Sequence, residues 1–417
     1  MDHEQFSDSV SIARRAIDRV APKVAILHDW RTIRGEAEEC LEMIVSAFPD
    51  ADVITLFDRF PRASRNYIDG RRIGTTLLHR LPLIQHYYRK LLPLLTLAIE
   101  QIDLSSYDVV ISNSKILAKG VTTSHTQIHI CYCHSATPFV PKNASHQGEG
   151  VGRLPSMGGL VAAYFLRRLR MWDYFTSQQV DQFVVSSRHL ARQVAKYYRR
   201  DAKVIYPGID TERLVIGGAR YSSYLCDAAV TPHDQLRAII QAFVGMPDRR
   251  LRVIGGPRTL DGLMEHAPGN ISLICNPTPH ERVENLQRAR AFLFTSDGSS
   301  GIAAFEAQCC GTPVLALGRG GGEIAIDRMT GLHSAEQDAQ AVAAIITRFE
   351  RIESDFIPEL IRQHAVGLSI ARFQHEFVNL VSELWTHHLS ENSGMSHDEQ
   401  VTECVRHGRW KLRLISK

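Results

Sequence analysis

Glu306 stands where an acidic side chain could hold a sugar hydroxyl. It follows the Gly- and Ser-rich segment 296–301, which an apolar run precedes, and Gly311 ends the short helix predicted around it. The apolar run is typical of a buried parallel strand. Free N–H groups at a helix start suit a phosphate, and Gly301 and Ile302 occupy that start. The pattern therefore predicts a nucleotide site, although ordinary strand-to-helix turns that bind no ligand share it.

The elements that would position Glu306 alternate between strand and helix. The predicted strands are 24–30, 51–56, 107–112, 127–134, 180–187, 224–230, 251–257, 271–274, 291–294, 314–317 and 330–332. The predicted helices are 38–48, 160–193 (interrupted by the strand at 180–187), 236–244, 281–289, 302–310, one that opens at 318–323, 339–349 and 371–385. Such alternation predicts parallel sheets in an α/β fold with two doubly wound domains.

Turn residues divide the chain, because Pro207 and Gly208 mark a boundary near residues 208–220. We predict five segments: a helical arm 1–22, a first Rossmann-like domain 23–212, a second Rossmann-like domain 213–370, a helix 371–388 that crosses back, and a basic tail 389–417. The segment 141–159 is predicted to be loop. Two glycine-rich turns, 296–301 and 320–322, are expected to open on one cleft between the domains.

Composition excludes several classes of protein. The chain has 417 residues with a net charge of +3, which is long enough for two or three domains but not basic enough for bulk nucleic-acid binding. No run of about 18 apolar residues predicts a membrane span. The N-terminus is polar and has no secretory signal, so we expect a cytoplasmic protein. We expect no metal site, since Cys131 and Cys133 would face away from His134.

The segment 61–90 carries seven basic residues and one acid, Asp69, with apolar and aromatic residues between them. Two interpretations remain open for this segment and the leucines that follow it. It could be a pair of amphipathic helices that pack on their own domain, or an anionic membrane surface could be its partner, with the protein peripheral at the inner face of the membrane.

Several short motifs resemble those of glycosyltransferase family 4, whose members use nucleotide sugars and have the GT-B architecture. In chain order they are His28-Asp29-Trp30, His134, Tyr206-Pro207, Asp210, Gly255, Glu306, Gly311-Thr312-Pro313 and Thr330-Gly331. The resemblance implies two Rossmann-like domains facing a cleft. It also implies retaining transfer of a hexose, mannose-like, from a GDP- or UDP-linked donor to a polysaccharide or lipid-linked acceptor in bacteria.

The resemblance implies roles for individual residues. His134 would face the acceptor and Asp297 would contact the sugar, and both are candidate catalytic residues. The candidate nucleotide-binding residues are Glu306, Gly301, Ile302, Gly255, Gly321 and Gly322. The donor is a substrate, so no cofactor is expected, and the expected partners are the nucleotide sugar and its glycan or lipid-linked acceptor.

Five positions depart from the family pattern at the expected donor site. Glu36 and Ala37 replace two glycines, Ala229 replaces an arginine, Asp234 replaces a lysine, and Gly298 replaces the first glutamate of the motif. An acid in place of a cation disfavours a diphosphate, because charge-assisted hydrogen bonds are the strong ones.

Two hypotheses follow from these departures. One is an active transferase with a rebuilt donor site, in which Arg258, Arg319 or Arg237 supplies the missing charge. The other is a degenerate homologue that acts as a binding or partner subunit. A third reading, a sugar-nucleotide epimerase on the same fold, has no feature in its favour.

Overall fold

The computed structural model describes residues 22–30, 35–59, 73–136, 157–260, 268–295 and 301–393. Within these ranges the strands form two parallel sheets. The strands of the first sheet are β1 Val24–His28, β2 Asp52–Thr55, β3 Ile73–Thr75, β4 Val109–Ser114, β5 Ile128–Cys133, β6 Gln182–Val185 and β7 Ala202–Val204. Those of the second sheet are β8 Ser223–Asp227, β9 Arg250–Gly255, β10 Ile271–Cys275, β11 Phe292–Thr295, β12 Val314–Leu317 and β13 Gly331–Ser334. The predicted α/β class with two doubly wound domains is confirmed.

The strand order creates a switch point in each sheet. The first sheet runs β3-β2-β1-β4-β5-β6-β7 and the second runs β10-β9-β8-β11-β12-β13. The connections therefore reverse direction between β1 and β4, and again between β8 and β11. Ligands of doubly wound sheets bind at the carboxyl ends of the strands beside such a point. His28 ends β1 and Asp227 ends β8, so both lie at a switch point.

Helices cover both faces of the sheets, and β1, β4 and β5 are therefore buried along their whole length. The helices of the first domain are Glu36–Ala47, Ile84–Tyr87, Leu92–Glu100, Met157–Ser177 and Arg188–Tyr198. Those of the second domain are His233–Val244, Pro257–Leu260, Pro279–Arg288, Ile302–Cys309, Ala339–Arg351 and Pro358–Val366.

The last described helix, Ile370–Ser393, returns to the first domain. Its Phe377 lies edge-on to Phe48, with ring centroids 6.2 Å apart. Phe373 contacts Tyr132 in the same way at 5.9 Å. Aromatic contacts of this geometry add to the apolar area that they bury, so they help to fix this helix on the first domain.

Some element boundaries differ from the sequence predictions. The helix Met157–Ser177 begins inside the segment predicted as loop. The strand predicted at 224–230 ends at Asp227, because the carbonyl of that residue accepts hydrogen bonds from the next turn. The helix predicted to open at 318–323 is only a 3₁₀ turn, Gly321–Glu323. The helix Pro358–Val366 was not predicted from the sequence.

Of the predicted arm 1–22 and tail 389–417, residues 1–21 and 394–417 lie outside the described residues. No helix in the described ranges combines the length and the apolar character needed to cross a bilayer.

Candidate functional site

Glu306 lies on the helix that follows the glycine-rich loop. Gly301 precedes the helix Ile302–Cys309 with a φ of 85°, a left-handed conformation that glycine adopts without strain. The strands β11 and β12 pair in parallel register, so the loops that follow them leave the same edge of the sheet. Asp297 and Gly298 fall in the part of this loop that lies outside the described residues.

Glu306 belongs to an ion triad, by which we mean Asp227, Arg282 and Glu306. Arg282 Nη1 donates a hydrogen bond to Glu306 Oε2 at 2.6 Å, and Arg282 Nε donates to Asp227 Oδ2 at 3.2 Å. The carboxylate side chains are 6% and 11% exposed, whereas Arg282 is 28% exposed. Two carboxylates buried to this extent need a cation between them.

Acidic side chains from both domains stabilise the positive charge of Arg282. Burial lowers the pKa of Arg282, but the charges of Glu306 and Asp227 outweigh burial and raise the pKa above its ordinary value. Glu39 of the first domain raises this pKa as well. Arg282 is therefore a permanent positive charge at the boundary between the domains.

The sequence reasoning missed Arg282. Its helix Pro279–Arg288 begins with a capping box, in which Thr278 Oγ1 accepts from the Glu281 N–H and the Glu281 carboxylate accepts from the Thr278 N–H. This start places Arg282 in the first turns, beside the end of β8. Asp227 could have indicated such a cation from the sequence, because an acid at the end of an apolar strand needs a buried cationic partner.

Two of the departures from the family pattern, Glu36 and Asp234, have a local structural reason. Glu36, with Glu38 and Glu39, lies in the first turn of its helix, and Asp234 lies in the first turn of another. Acidic side chains stabilise a helix N-terminus by complementing its dipole. The protein therefore complements these two helix starts with its own carboxylates.

The three arginines proposed as replacements are not in the ion triad. Arg237 and Arg319 are exposed, and neither forms an ion pair within the described ranges. The side chain of Arg258 lies outside the described residues. Ala229 contributes only its backbone N–H, which donates to Asp227 Oδ1 at 2.9 Å.

A second group of polar side chains lies at the carboxyl ends of β1, β4 and β5. We call His28, Asn113 and His134 the histidine network. Asn113 Oδ1 is 2.7 Å from His134 Nε2, and Asn113 Nδ2 is 3.0 Å from His28 Nδ1. The same Nδ2 donates to the carbonyl of Ala37 at 2.7 Å. His28 Nε2 lies 3.6 Å from a carboxylate oxygen of Glu38.

Asp29 anchors the segment that follows β4. Its carboxylate accepts hydrogen bonds from the N–H groups of Lys115, Ile116, Leu117 and Ala118. The side chain is buried, and it satisfies a turn whose N–H groups would otherwise lack acceptors. The aspartate of the His28-Asp29-Trp30 motif therefore has a structural role.

His134 is neutral at physiological pH. Burial, together with the smaller effects of the charges of His28 and Lys115, lowers its pKa to about 3. The ring contacts Tyr132 with centroids 5.2 Å apart. A neutral imidazole can accept one hydrogen bond and donate another, which is the form that binding to a hydroxyl requires.

Two of the predicted glycines, Gly255 and Gly321, leave little room for a side chain. A Cβ on Gly255 would meet Thr259 Oγ1 at 2.9 Å, and one on Gly321 would meet the Ala316 side chain at 3.0 Å. Gly322 has more room. The residue after it, Glu323, accepts a hydrogen bond from the Arg188 N–H of the first domain at 2.8 Å. The glycine-rich turn after β12 therefore faces the first domain.

No group of three or more His, Cys, Asp and Glu side chains within the described ranges is arranged to hold a metal ion. Cys131 and Cys133 are buried free thiols.

Comparison with known sequences gives two adjacent family matches. The profile of "Glycosyltransferase Family 4" matches residues 40–213, and that of "Glycosyl transferases group 1" matches residues 224–350. Together they cover more than two thirds of the chain. The division between them falls between the two sheets.

The curated relatives carry one name. D-inositol 3-phosphate glycosyltransferase of Mycolicibacterium gilvum is 28% identical over 192 residues, which cover 39% of this chain and 43% of the relative. The protein of that name from Mycobacteroides abscessus is 25% identical over 201 residues, covering 41% and 45%. The match thus spans less than half the length of these relatives.

Solved structures show the same fold at low sequence identity. HepE of Anabaena, in complex with UDP and glucose, has a TM-score of 0.63 at 15% identity and covers 87% of this chain and 99% of its own. The lipopolysaccharide outer core galactosyltransferase WaaB has a TM-score of 0.56 at 11% identity, with coverage of 87% and 99%. The parallel sheets, the ordered motifs and the two family profiles agree, and the chain belongs to the family 4-like glycosyltransferases with the GT-B fold.

Proposed function

We propose that this protein transfers a hexose from a nucleotide diphosphate sugar to a hydroxyl of a glycan or lipid-linked acceptor, with retention at the anomeric carbon. The observation that carries the proposal is the arrangement of two polar groups at the carboxyl ends of the two sheets. The histidine network lies on the first domain, and the ion triad lies on the second. Ligands of doubly wound sheets bind at this edge.

The second domain is proposed to bind the donor. A departing nucleoside diphosphate gains negative charge, and a fixed cation with a helix N-terminus nearby can stabilise it. Arg282 is that cation, and the helix Ile302–Cys309 begins beside the same loop. Glu306 Oε2 accepts from Arg282, which fixes the carboxylate in the position proposed to bind a ribose hydroxyl.

The donor is proposed to be a sugar linked to a uridine or a guanosine diphosphate. The HepE structure contains UDP and glucose, which favours a uridine nucleotide for the first trial. The family resemblance suggested mannose and a guanosine nucleotide as well. Titration calorimetry should therefore use UDP and GDP separately.

The test of this function compares Glu306→Ala with a control. We expect Glu306→Ala to weaken binding of UDP or GDP by roughly 1–3 kcal/mol, the usual effect of losing a hydrogen bond to a charged group. Glu284→Ala removes an exposed carboxylate bonded to Arg288 on the neighbouring helix and should leave affinity unchanged. Equal affinities of the two variants, or no binding by the wild type, would contradict the proposed function.

The degenerate homologue remains the second candidate. Arg282 already has two carboxylate partners, and the acidic first turns at Glu36 and Asp234 repel a diphosphate. In that case the wild type would bind nucleotide weakly and act as a partner subunit.

We also propose that the first domain contacts an anionic membrane. Leu77 is 77% exposed, and Leu94 and Leu97 are more than half exposed. The helix Met157–Ser177 adds exposed aromatic side chains, among them Phe175. A hydrogen bond of 2.6 Å from Trp172 Nε1 to Glu100 Oε1 joins this helix to Leu92–Glu100.

Charge also favours this surface as a membrane contact. The sequences 73–99 and 157–172 contain no acidic residue, and Arg167, Arg168 and Arg170 are exposed. Exposed apolar side chains among basic ones are the pattern of an interfacial helix. Arg71 and Arg72, two of the seven basic residues of the segment 61–90, lie outside the described residues.

Vesicle sedimentation tests the membrane proposal. Changing Arg167, Arg168 and Arg170 to Glu should abolish salt-sensitive binding to phosphatidylserine-containing vesicles. The same charge change at Lys203, Arg213 and Arg351, which are exposed elsewhere, should leave it intact. Equal sedimentation of both triple variants would contradict the assignment.

A further inference from the structure

The Asn113 side chain has one orientation that satisfies its neighbours. The carbonyl oxygen of Ala37 can only accept a hydrogen bond, so the Asn113 atom 2.7 Å away must be the Nδ2 donor. Oδ1 is then the atom 2.7 Å from His134 Nε2. Because Oδ1 can only accept, Nε2 of His134 must carry a hydrogen.

The other nitrogen of His134 is therefore an acceptor. The ring is neutral because its pKa is lowered to about 3 by burial and by the charges of His28 and Lys115. Its single proton is on Nε2, so Nδ1 has a free electron pair. Within the described ranges no group donates a hydrogen bond to Nδ1.

His28 lies on the other side of Asn113. Its Nδ1 is 3.0 Å from Asn113 Nδ2 and 3.1 Å from the backbone carbonyl of Asn113. Its Nε2 lies 3.6 Å from Glu38 Oε1. Asn113 is fully buried and cannot exchange these partners for water.

We propose that Asn113 is a positioning residue that holds His134 in the Nε2–H tautomer, so that His134 Nδ1 accepts a hydrogen bond from the hydroxyl of the acceptor sugar. The proposal rests on the proposed transferase function. A hydroxyl that donates to an imidazole nitrogen has more electron density on its oxygen and is a better nucleophile. The opposite tautomer would present an N–H to the hydroxyl and lose this effect.

Nitrogen NMR of the full-length, histidine-labelled protein tests the tautomer directly. The His134 signals are assigned by their loss in His134→Gln. The wild type should show the neutral Nε2–H form from pH 8 to pH 5. Asn113→Leu removes the acceptor oxygen and should give a mixture of tautomers. A wild-type ring protonated on Nδ1, or an unchanged tautomer in Asn113→Leu, would overturn the proposal.

A second variant covers the case in which Asn113→Leu does not fold. Asn113→Asp keeps the shape and the acceptor oxygen but adds a negative charge, so the pKa of His134 should rise by more than about one unit. The groups that also act on this ring are His28, Lys115 and, through His28, Glu38. An unchanged pKa in Asn113→Asp would argue against a direct contact between the two side chains.

Ser112→Ala is the matched control for the spectra. Ser112 is the neighbour of Asn113 on β4, and its Oγ is hydrogen bonded to His129 Nε2 at 2.8 Å. This variant should change the His129 signals and leave those of His134 as they are in the wild type. A change at His134 of the size seen in Asn113→Leu would overturn the assignment to Asn113.

The role of His134 Nδ1 toward a hydroxyl is tested with water as the acceptor. Hydrolysis of UDP-glucose and GDP-mannose should fall at least about tenfold in Asn113→Leu. The Kd for UDP or GDP should stay within about twofold, since Asn113 lies on the other domain. An unchanged hydrolysis rate would overturn this role. If the wild type binds neither nucleotide, the proposed transferase function fails, and the spectra still decide the positioning role.

Discussion

The histidine network and the ion triad satisfy their buried polar groups in different ways. In the histidine network, hydrogen bonds through Asn113 link His28 and His134, which stand at positions of the family motifs. In the ion triad, Arg282 links two carboxylates, and the surrounding positions depart from the family pattern. A hydrogen-bond partner determines which nitrogen of an imidazole carries a proton, whereas an ion triad keeps a charge at a fixed position. The first arrangement suits the orientation of a hydroxyl, and the second suits the binding of an anion.

The difference also shows which substitutions the fold tolerates. Asp29 cannot be replaced without leaving four backbone N–H groups unsatisfied. Glu36 and Asp234 instead complement helix dipoles, so those changes stabilise their helices while they alter the charge of the cleft.

The largest expected effect is the loss of the anchor beneath the histidine network. Asp29→Ala should lower the free energy of unfolding by about 3–5 kcal/mol, because buried donors lose a charged acceptor. Asp338→Ala removes an exposed helix cap with one backbone partner and should have an effect of about 1 kcal/mol. Denaturant unfolding measures both. Similar losses in the two variants would show that Asp29 is no more than a local cap.

Removing the cation of the ion triad should have the next largest effect. Arg282→Met leaves Asp227 and Glu306 as buried carboxylates without a partner, at an expected loss of about 2–4 kcal/mol in unfolding free energy. Arg348→Met breaks an ion pair with Asp327 whose partners are about half exposed, and it should lose less than about 1 kcal/mol. If both variants lose the same amount, the ion triad is no more stabilising than a surface pair.

The stability that His134 contributes should depend on pH. The pKa of His134 is about 3 in the folded state, against about 6.5 in an unfolded chain. The unfolded state therefore binds the proton first, and the contribution of His134 is complete above pH 6.5 and is lost as pH falls toward 3. For one such group the slope is at most about 1.4 kcal/mol per pH unit.

Unfolding titrations check this prediction with two variants. His134→Gln should have a shallower loss of stability below pH 6.5 than the wild type. His129→Gln should behave similarly, because the pKa of His129 is also lowered to about 3, by burial and by the charge of Lys119. A slope in His134→Gln equal to that of the wild type would mean that His134 is already solvated in the folded protein.

The smallest expected effect is the one that separates the two functional hypotheses. Restoring the family cations by Ala229→Arg and Asp234→Lys should change nucleotide affinity less than about threefold if Arg282 already serves the diphosphate. Calorimetry with UDP and GDP measures this affinity. In a protein that also carries Arg282→Met, the same double change should then have a much larger effect on nucleotide affinity. A gain of about tenfold or more over a weakly binding wild type would favour the degenerate homologue instead.

The sequence by itself determined the fold class and the places where a site could lie. Apolar runs of strand length, alternating with helical patterns, required parallel sheets, because strands buried on both faces must be covered by helices. The motif around Glu306 required a helix start after a glycine-rich turn, and Gly301 with its φ of 85° shows why glycine is needed there. His134 was placed at a strand end, where its imidazole can face a ligand.

Only the tertiary structure decided which side chains meet. Arg282 is 24 residues before Glu306 and 55 after Asp227, and no local pattern links the three. Asn113 lies 85 residues from His28 and 21 from His134, and it joins them because β1, β4 and β5 end side by side. Sequence periodicity reports which face of an element is buried, whereas contacts between distant elements depend on strand order and register, which a single sequence does not encode locally.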